Sequence, residues 1–198
     1  MIAIACVSLF GIVAQLCASS SIGRALNLFS YFTIQSNLIV VAVCLYGGLD
    51  RKRSAAYPAW RCGATLWILV TGSVFSIFLA RGLGFGGLGG WANLALHYVA
   101  PSAVLLEWLF LEPKGALKPR HLLYWLAYPL GYAALSLVRG AIDGFYPYWF
   151  LDPTKSFPRG VSGYAPLTLF VLGLAICIGA VGVALYFLDF TLAKRVRG

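Results

Sequence analysis

Apolar runs of about 17 to 25 residues recur along this chain, and no other feature limits its fold so strongly. About 20 residues of helix cross a hydrocarbon core about 30 Å thick, and a helix satisfies its own backbone hydrogen bonds where no water can. Six such runs stand at roughly 1–18, 28–47, 62–80, 92–111, 122–138 and 166–188. Composition agrees: 61% of the 198 residues are hydrophobic, 11% are charged and the mean hydropathy is +0.84. A soluble domain of this length could not hide so much apolar surface. The expected fold is therefore all-α, an integral membrane bundle of six transmembrane helices forming one domain over residues 1–198. The first run, MIAIACVSLFGIVAQLC, has no basic leading region and no small-x-small cleavage site, so it reads as a retained helix rather than a signal peptide. Leu16 before Cys17 leaves no lipidation box either.

Charge gives the orientation. Ten of the fifteen Lys and Arg residues lie in RKRSAAYPAWR, EPKGALKPRH and AKRVRG, which alternate with connections that hold the other five. Basic residues collect in cytoplasmic loops, so both termini are expected in the cytoplasm, with Arg24, Arg81 and the segment from Arg139 to Tyr164 outside. The net charge of +9 thus marks topology and contact with anionic membrane lipids, and no nucleic-acid partner is expected. The five cysteines form no CxxC pair and stand near no histidine at ligand spacing, so they read as small packing residues. No metal and no cofactor are expected.

Polar residues inside such runs need a reason, since lipid offers them no partners. YFTIQSNL, at the head of the second run, holds four of them. Ser30, Thr33 and Asn37 share one helix face with Ser36 beside it, and in the fourth run Asn93 and His97 stand four apart on another. With spans entered near Leu28 and Trp91, Thr33 and His97 both lie about 8 Å below the outer surface. A hydroxyl beside an imidazole can attack a carbonyl, the histidine taking the hydroxyl proton and returning it to the leaving group. Asn37 or Asn93 could donate to the oxyanion or fix the imidazole tautomer. Each residue also has a plain structural use: Thr33 can bond back to its own helix, and Ser36 and Asn37 can join helices. Glu107 lies ten residues beyond His97, about 15 Å along the helix, too far to orient the ring; it is expected to pair with a basic residue of the inner side. The carboxylates that could reach His97 are Asp143 and Asp152 of the outer loop.

Other stretches carry less. RGAIDGFYPYWFLDP suits an interfacial aromatic belt or a lid, and Arg139 at its head could hold a carboxylate or reach for the interface. RGLGFGGLGGWAN lacks the GK[ST] of a phosphate loop and reads as a flexible outer connection. Gly173, Cys177, Gly179 and Gly182 offer small surfaces for close helix packing. His121 reads as an interfacial residue.

The FT of YFTIQSNL, the N-x-x-x-H-x-x-x-P of Asn93, His97 and Pro101, and YPYWFL after the fifth run together resemble the androgen-induced membrane hydrolase family, most closely its bacterial six-span relatives. The resemblance implies an intramembrane threonine hydrolase of lipid esters, such as fatty-acid esters of hydroxy fatty acids, in the cell membrane, here the bacterial inner membrane. The family's threonine and histidine fall on Thr33 and His97. Where animal members are more apolar and acidic after the threonine, this chain has IQSN, a change expected to alter substrate choice rather than reaction type. The expected course is an acyl-threonine released by water from the outer side, with Asn37, Asn93 and Ser36 as supporting polar groups and Arg139 for the product carboxylate. The alternative is a small transporter or lipid-binding membrane protein, its route extended by Thr71, Ser73 and Ser76 of the third run. It would require polar groups at successive depths to the inner face.

Overall fold

The computed structural model describes residues 1–50, 52–81, 86–155 and 161–197; Arg51 of the basic segment, 82–85 of the glycine-rich connection and 156–160 of the outer loop lie outside them. Among the described residues the chain is all-helical, with no strand. The helices are α1 (Ile2–Cys17), α2 (Ile22–Leu28), α3 (Phe32–Leu49), α4 (Tyr57–Leu79), α5 (Gly87–Leu111), α6 (Arg120–Asp143) and α7 (Tyr164–Arg197). The last five are long and apolar enough to cross a membrane. α1 is equally apolar but has 16 residues, about 24 Å of helix.

Several boundaries differ from those read in the sequence. The second run does not begin at Leu28. Residues 22–28 form the separate short helix α2, whose start is capped by Ser21 accepting from the Arg24 amide at 3.3 Å, and Tyr31 is extended at φ −85°, ψ 135° before α3 begins. Gln35 then donates to the Phe29 carbonyl at 3.0 Å, satisfying an acceptor at the end of α2. α4 starts five residues early because Pro58 fits the first helical turn. The glycine-rich connection is not wholly a loop, since Gly87 to Gly90 already wind into α5. α6 carries Pro129 inside it and stops at Gly144, whose φ of +76° is the left-handed turn that favours glycine.

The chain forms two compact units, Met1–Leu117 with Leu185–Gly198, and Lys118–Ala184. In the first, α1 packs on α3 and α5, α3 on α4, and α4 on α5, so four helices close around a common interior. Lipid tails give apolar helices no hydrophobic reason to associate, so the contact has to come from shape. Gly11 supplies it between α1 and α5, where a methyl group would stand 2.7 Å from the Leu96 side chain. Gly72 supplies it between α4 and α5, where a methyl would stand 2.7 Å from the His97 carbonyl oxygen. Two apolar layers fill the interior: Ile12, Ile34 and Leu96 at one level, then Ile4, Val40, Cys44, Ile68 and Val104 further along. Large apolar side chains such as Leu106, Phe110 and Leu111 point outward, the reverse of a soluble bundle.

In the second unit the aromatic segment turns through Trp149–Leu151 and buries Tyr148, Phe150 and Leu151. Tyr148 stacks on Phe150 at 5.0 Å, and Phe150 meets Phe170 of α7. The small residues of α7 do not all serve close packing as expected: Gly173 has nothing within 4 Å of its position and Cys177 is exposed, while Gly179 lies near Leu126 and Gly182 is buried. Likewise only Cys44 and Cys62 of the five cysteines are buried; Cys6 and Cys17 are exposed, and all five thiols are free.

Candidate active site

The geometry begins with a proline. Pro101 has no N–H, so the carbonyl of His97, four residues earlier, loses its helical donor. The ladder relaxes there into a π turn over Ala95–Val99, with the Ala100 amide reaching back five residues to the Ala95 carbonyl. Such turns bulge a helix outward and are common at functional sites. Here the bulge presses the His97 backbone against Gly72 of α4. A second π turn, Phe75–Leu79, ends α4, and α4 packs on the Ala95–Val99 turn.

The His97 side chain is buried and meets Thr33 of α3: Thr33 Oγ1 and His97 Nε2 are 3.2 Å apart, across 64 residues of sequence. At its other nitrogen, Nδ1 lies 3.1 Å from the Asn93 carbonyl oxygen. A carbonyl only accepts, so Nδ1 carries the proton and Nε2 presents a lone pair. The Thr33 hydroxyl therefore donates to Nε2, the arrangement a general base needs. Thr33 is the second residue of α3, where the positive end of the helix dipole favours negative charge developing on its oxygen.

The two residues stand at one level, as expected, although their counts from the observed helix starts are unequal. Thr33 is one residue into α3, whereas His97 is ten residues into α5, yet they touch. The helices themselves begin elsewhere than the apolar runs, α5 before Trp91 and α3 after Leu28.

Asn37 is fully buried and spends both amide hydrogens on backbone, donating to the Thr33 carbonyl at 2.9 Å and to the Leu96 carbonyl at 3.4 Å. It ties α3 to α5 beside both members of the pair and has no hydrogen left for an oxyanion. Asn93 orients the imidazole, but through its backbone carbonyl rather than its side chain. Ser36 is buried on α3, bonded to Thr71 of α4 at 2.7 Å and to the Thr33 carbonyl at 3.1 Å. Of the other hydroxyls proposed along a route, Ser73 and Ser76 are exposed, and Ser76 bonds back to the Gly72 carbonyl.

Sequence reading missed Phe75 and Gly72. The Phe75 ring stacks on the His97 ring with centroids 3.7 Å apart and an interplanar angle of 15°. Thr71, Gly72 and Phe75 follow the i, i+1, i+4 spacing of one helix face, so the small-polar-aromatic stripe was there to be found.

Glu107 pairs with a basic residue as expected, but with one that lies inside a helix rather than in a loop. Arg61, counted with the basic segment, stands inside α4 and forms a buried ion pair with Glu107, while donating to Thr65 at 2.9 Å and the Val104 carbonyl at 3.2 Å. Beyond it, Arg53 grips both oxygens of Glu112, Tyr57 donates to the same carboxylate, and Asp189 accepts from the Gly115 and Leu117 amides. Lys114 bonds the Trp108 and Glu112 carbonyls, and burial pushes its ammonium pKa down against the pull of Asp189 and Glu112. His121 accepts from the Lys118 amide at 3.1 Å in the first turn of α6.

Arg139 belongs to the second unit, where Asp143 holds its guanidinium at 3.0 Å and the Phe145 ring lies 4.3 Å beneath it. Asp143 also accepts from the Phe145 amide, and Asp152 is engaged by the Thr154 amide and hydroxyl. Among the described residues no group of three or more His, Cys, Asp and Glu could hold a metal ion.

The chain matches no protein-family model, and neither a curated protein nor a solved structure is significantly similar to it.

Proposed function

We propose that this protein is an intramembrane hydrolase of lipid esters, with Thr33 as nucleophile and His97 as general base. The observation that carries the reading is the Thr33–His97 hydrogen bond, with the imidazole tautomer set by the Asn93 carbonyl. The sequence motifs that resemble the androgen-induced membrane hydrolases support the same pair and a fatty-acid ester substrate. In this reading α1 is a sixth span, both termini are cytoplasmic, and the protein resides in the bacterial inner membrane with its site toward the outer face.

In the first step the Thr33 Oγ–C bond forms as the Oγ proton passes to Nε2 and the carbonyl π pair moves to oxygen. Collapse expels the alcohol, which takes the proton from Nε2. Water then repeats the sequence on the acyl-threonine and releases the acid. The N-terminus of α3 favours the charge on the attacking oxygen. Asn37 and Ser36 hold the Thr33 backbone in place, so the nucleophile keeps its alignment without reorganisation.

Two features weigh against the transporter alternative. From the pair toward the Arg61–Glu107 end, the interior of α1, α3, α4 and α5 closes on Val40, Ile68 and Val104, each wholly buried. Ser73 and Ser76, which a polar route would use, face outward. A site blind at that end suits a substrate that enters sideways from lipid.

Labelling with an active-site fluorophosphonate tests the proposal. Wild type is expected to label on Thr33, and folded Thr33→Ala and His97→Ala variants are expected not to. An unlabelled wild type, or undiminished labelling of Thr33→Ala, would sink the covalent mechanism.

A further inference from the structure

Among the described residues of the unit that holds His97, no carboxylate stands behind it. The π turn over Ala95–Val99 is packed by α1, α3 and α4. α1 and α3 contain no Asp, Glu, Lys or Arg, and the charged pair on α4 and α5, Arg61 and Glu107, is closed on itself. A histidine that takes a proton here becomes an imidazolium in a buried, apolar setting, where an uncompensated charge is costly. The Asn93 carbonyl offers a dipole at one ring edge. What covers the ring face is Phe75.

The form of that contact is informative. Centroids 3.7 Å apart with planes 15° from parallel describe rings placed almost directly over each other. Two neutral aromatic rings avoid this, because their like quadrupoles meet, and settle edge-to-face or offset at larger separation. A cation over the same face is attracted. Phe75 is 5% exposed, so water does not screen the interaction. The fold allows the close approach: Gly72, three residues before Phe75, lets the His97 backbone touch α4. The stack is thus poorly suited to the resting imidazole and well suited to its protonated form, the differential that catalysis requires.

We propose that Phe75 is the positioning residue that supports His97 within this unit: its ring face stabilises the imidazolium formed when His97 accepts the Thr33 proton. This rests on the hydrolase reading. Only the proton moves, from Thr33 Oγ to His97 Nε2, and Phe75 acts through the ring it covers.

The test replaces Phe75 by 4-fluoro-, 3,5-difluoro- and 3,4,5-trifluorophenylalanine, which withdraw the ring's negative face progressively with little change of shape. The rate of Thr33 labelling by the fluorophosphonate is measured beside the melting temperature. The expected result is a graded loss, log rate falling steadily with fluorine number to about 3- to 30-fold at trifluoro, with an unaltered melting temperature. Cyclohexylalanine, which fills the space without a π face, is expected to lose at least as much. A labelling rate flat across the series, with wild type active, would overturn the role of Phe75 and leave the hydrolase reading intact. A wild type that does not label overturns both.

Discussion

Gly72→Ala puts the largest strain on the site for the smallest chemical change. The added methyl would stand 2.7 Å from the His97 carbonyl oxygen and 3.3 Å from Pro101 Cγ, whereas ordinary contact begins near 3.4 Å. The first neighbour is backbone and cannot rotate away, so α4 and α5 must separate locally by about 0.7 Å, the distance back to unstrained van der Waals contact. Overpacking of this kind costs about 1–3 kcal/mol. His97 rides on the displaced turn, and its bond to Thr33, already 3.2 Å, would lengthen to a separation at which a hydrogen bond no longer counts. A misplacement approaching 1 Å at a reacting pair lowers rate by about 100-fold. The expected outcome is a lower melting temperature in detergent and fluorophosphonate labelling slowed by about 10- to 100-fold. Gly131→Ala, at a helical position with nothing within 4 Å, serves as control and should change neither. A Gly72→Ala protein that melts and labels like wild type would refute the claim that this close approach sets the geometry of the pair.

Three further outcomes follow from the same packing. Glu107→Gln leaves Arg61 buried with an unbalanced charge and should destabilise by about 3–5 kcal/mol in reversible unfolding, whereas the double change Arg61→Met with Glu107→Leu should recover most of it; equal loss in both would remove the ion pair from the argument. Asn37→Leu gives up two bonds to backbone but also an amide oxygen that has no partner in the structure, so stability should change by only about 1 kcal/mol while Thr33 labelling slows markedly; unimpaired labelling would deny Asn37 its tie between α3 and α5. Maleimide should modify Cys17, exposed at the end of α1, in the folded protein and spare Cys44 and Cys62 until it unfolds; early reaction at Cys44 would contradict the closed interior.

The sequence by itself determined the helical class, because 61% apolar residues in long unbroken runs leave the backbone no other way to satisfy its hydrogen bonds away from water. It also pointed to Thr33 and His97, since polar groups in such runs are costly and few. Helix ends were less legible. Phe32 rather than Leu28 starts α3 because a Ser21 cap and an extended Tyr31 cut off a short helix, and apolarity alone does not register that break. The supporting roles were the least visible. Asn93 acts through a carbonyl that any residue possesses, Asn37 turns its amide to backbone, and Glu107 finds its partner on a neighbouring helix. Tertiary structure alone set Phe75 over the imidazole and Gly72 against the π turn. Composition and periodicity report what a residue must avoid, here lipid without partners. Which face of which neighbour it meets depends on distances of a few tenths of an ångström between helices, and those are fixed only when the bundle closes.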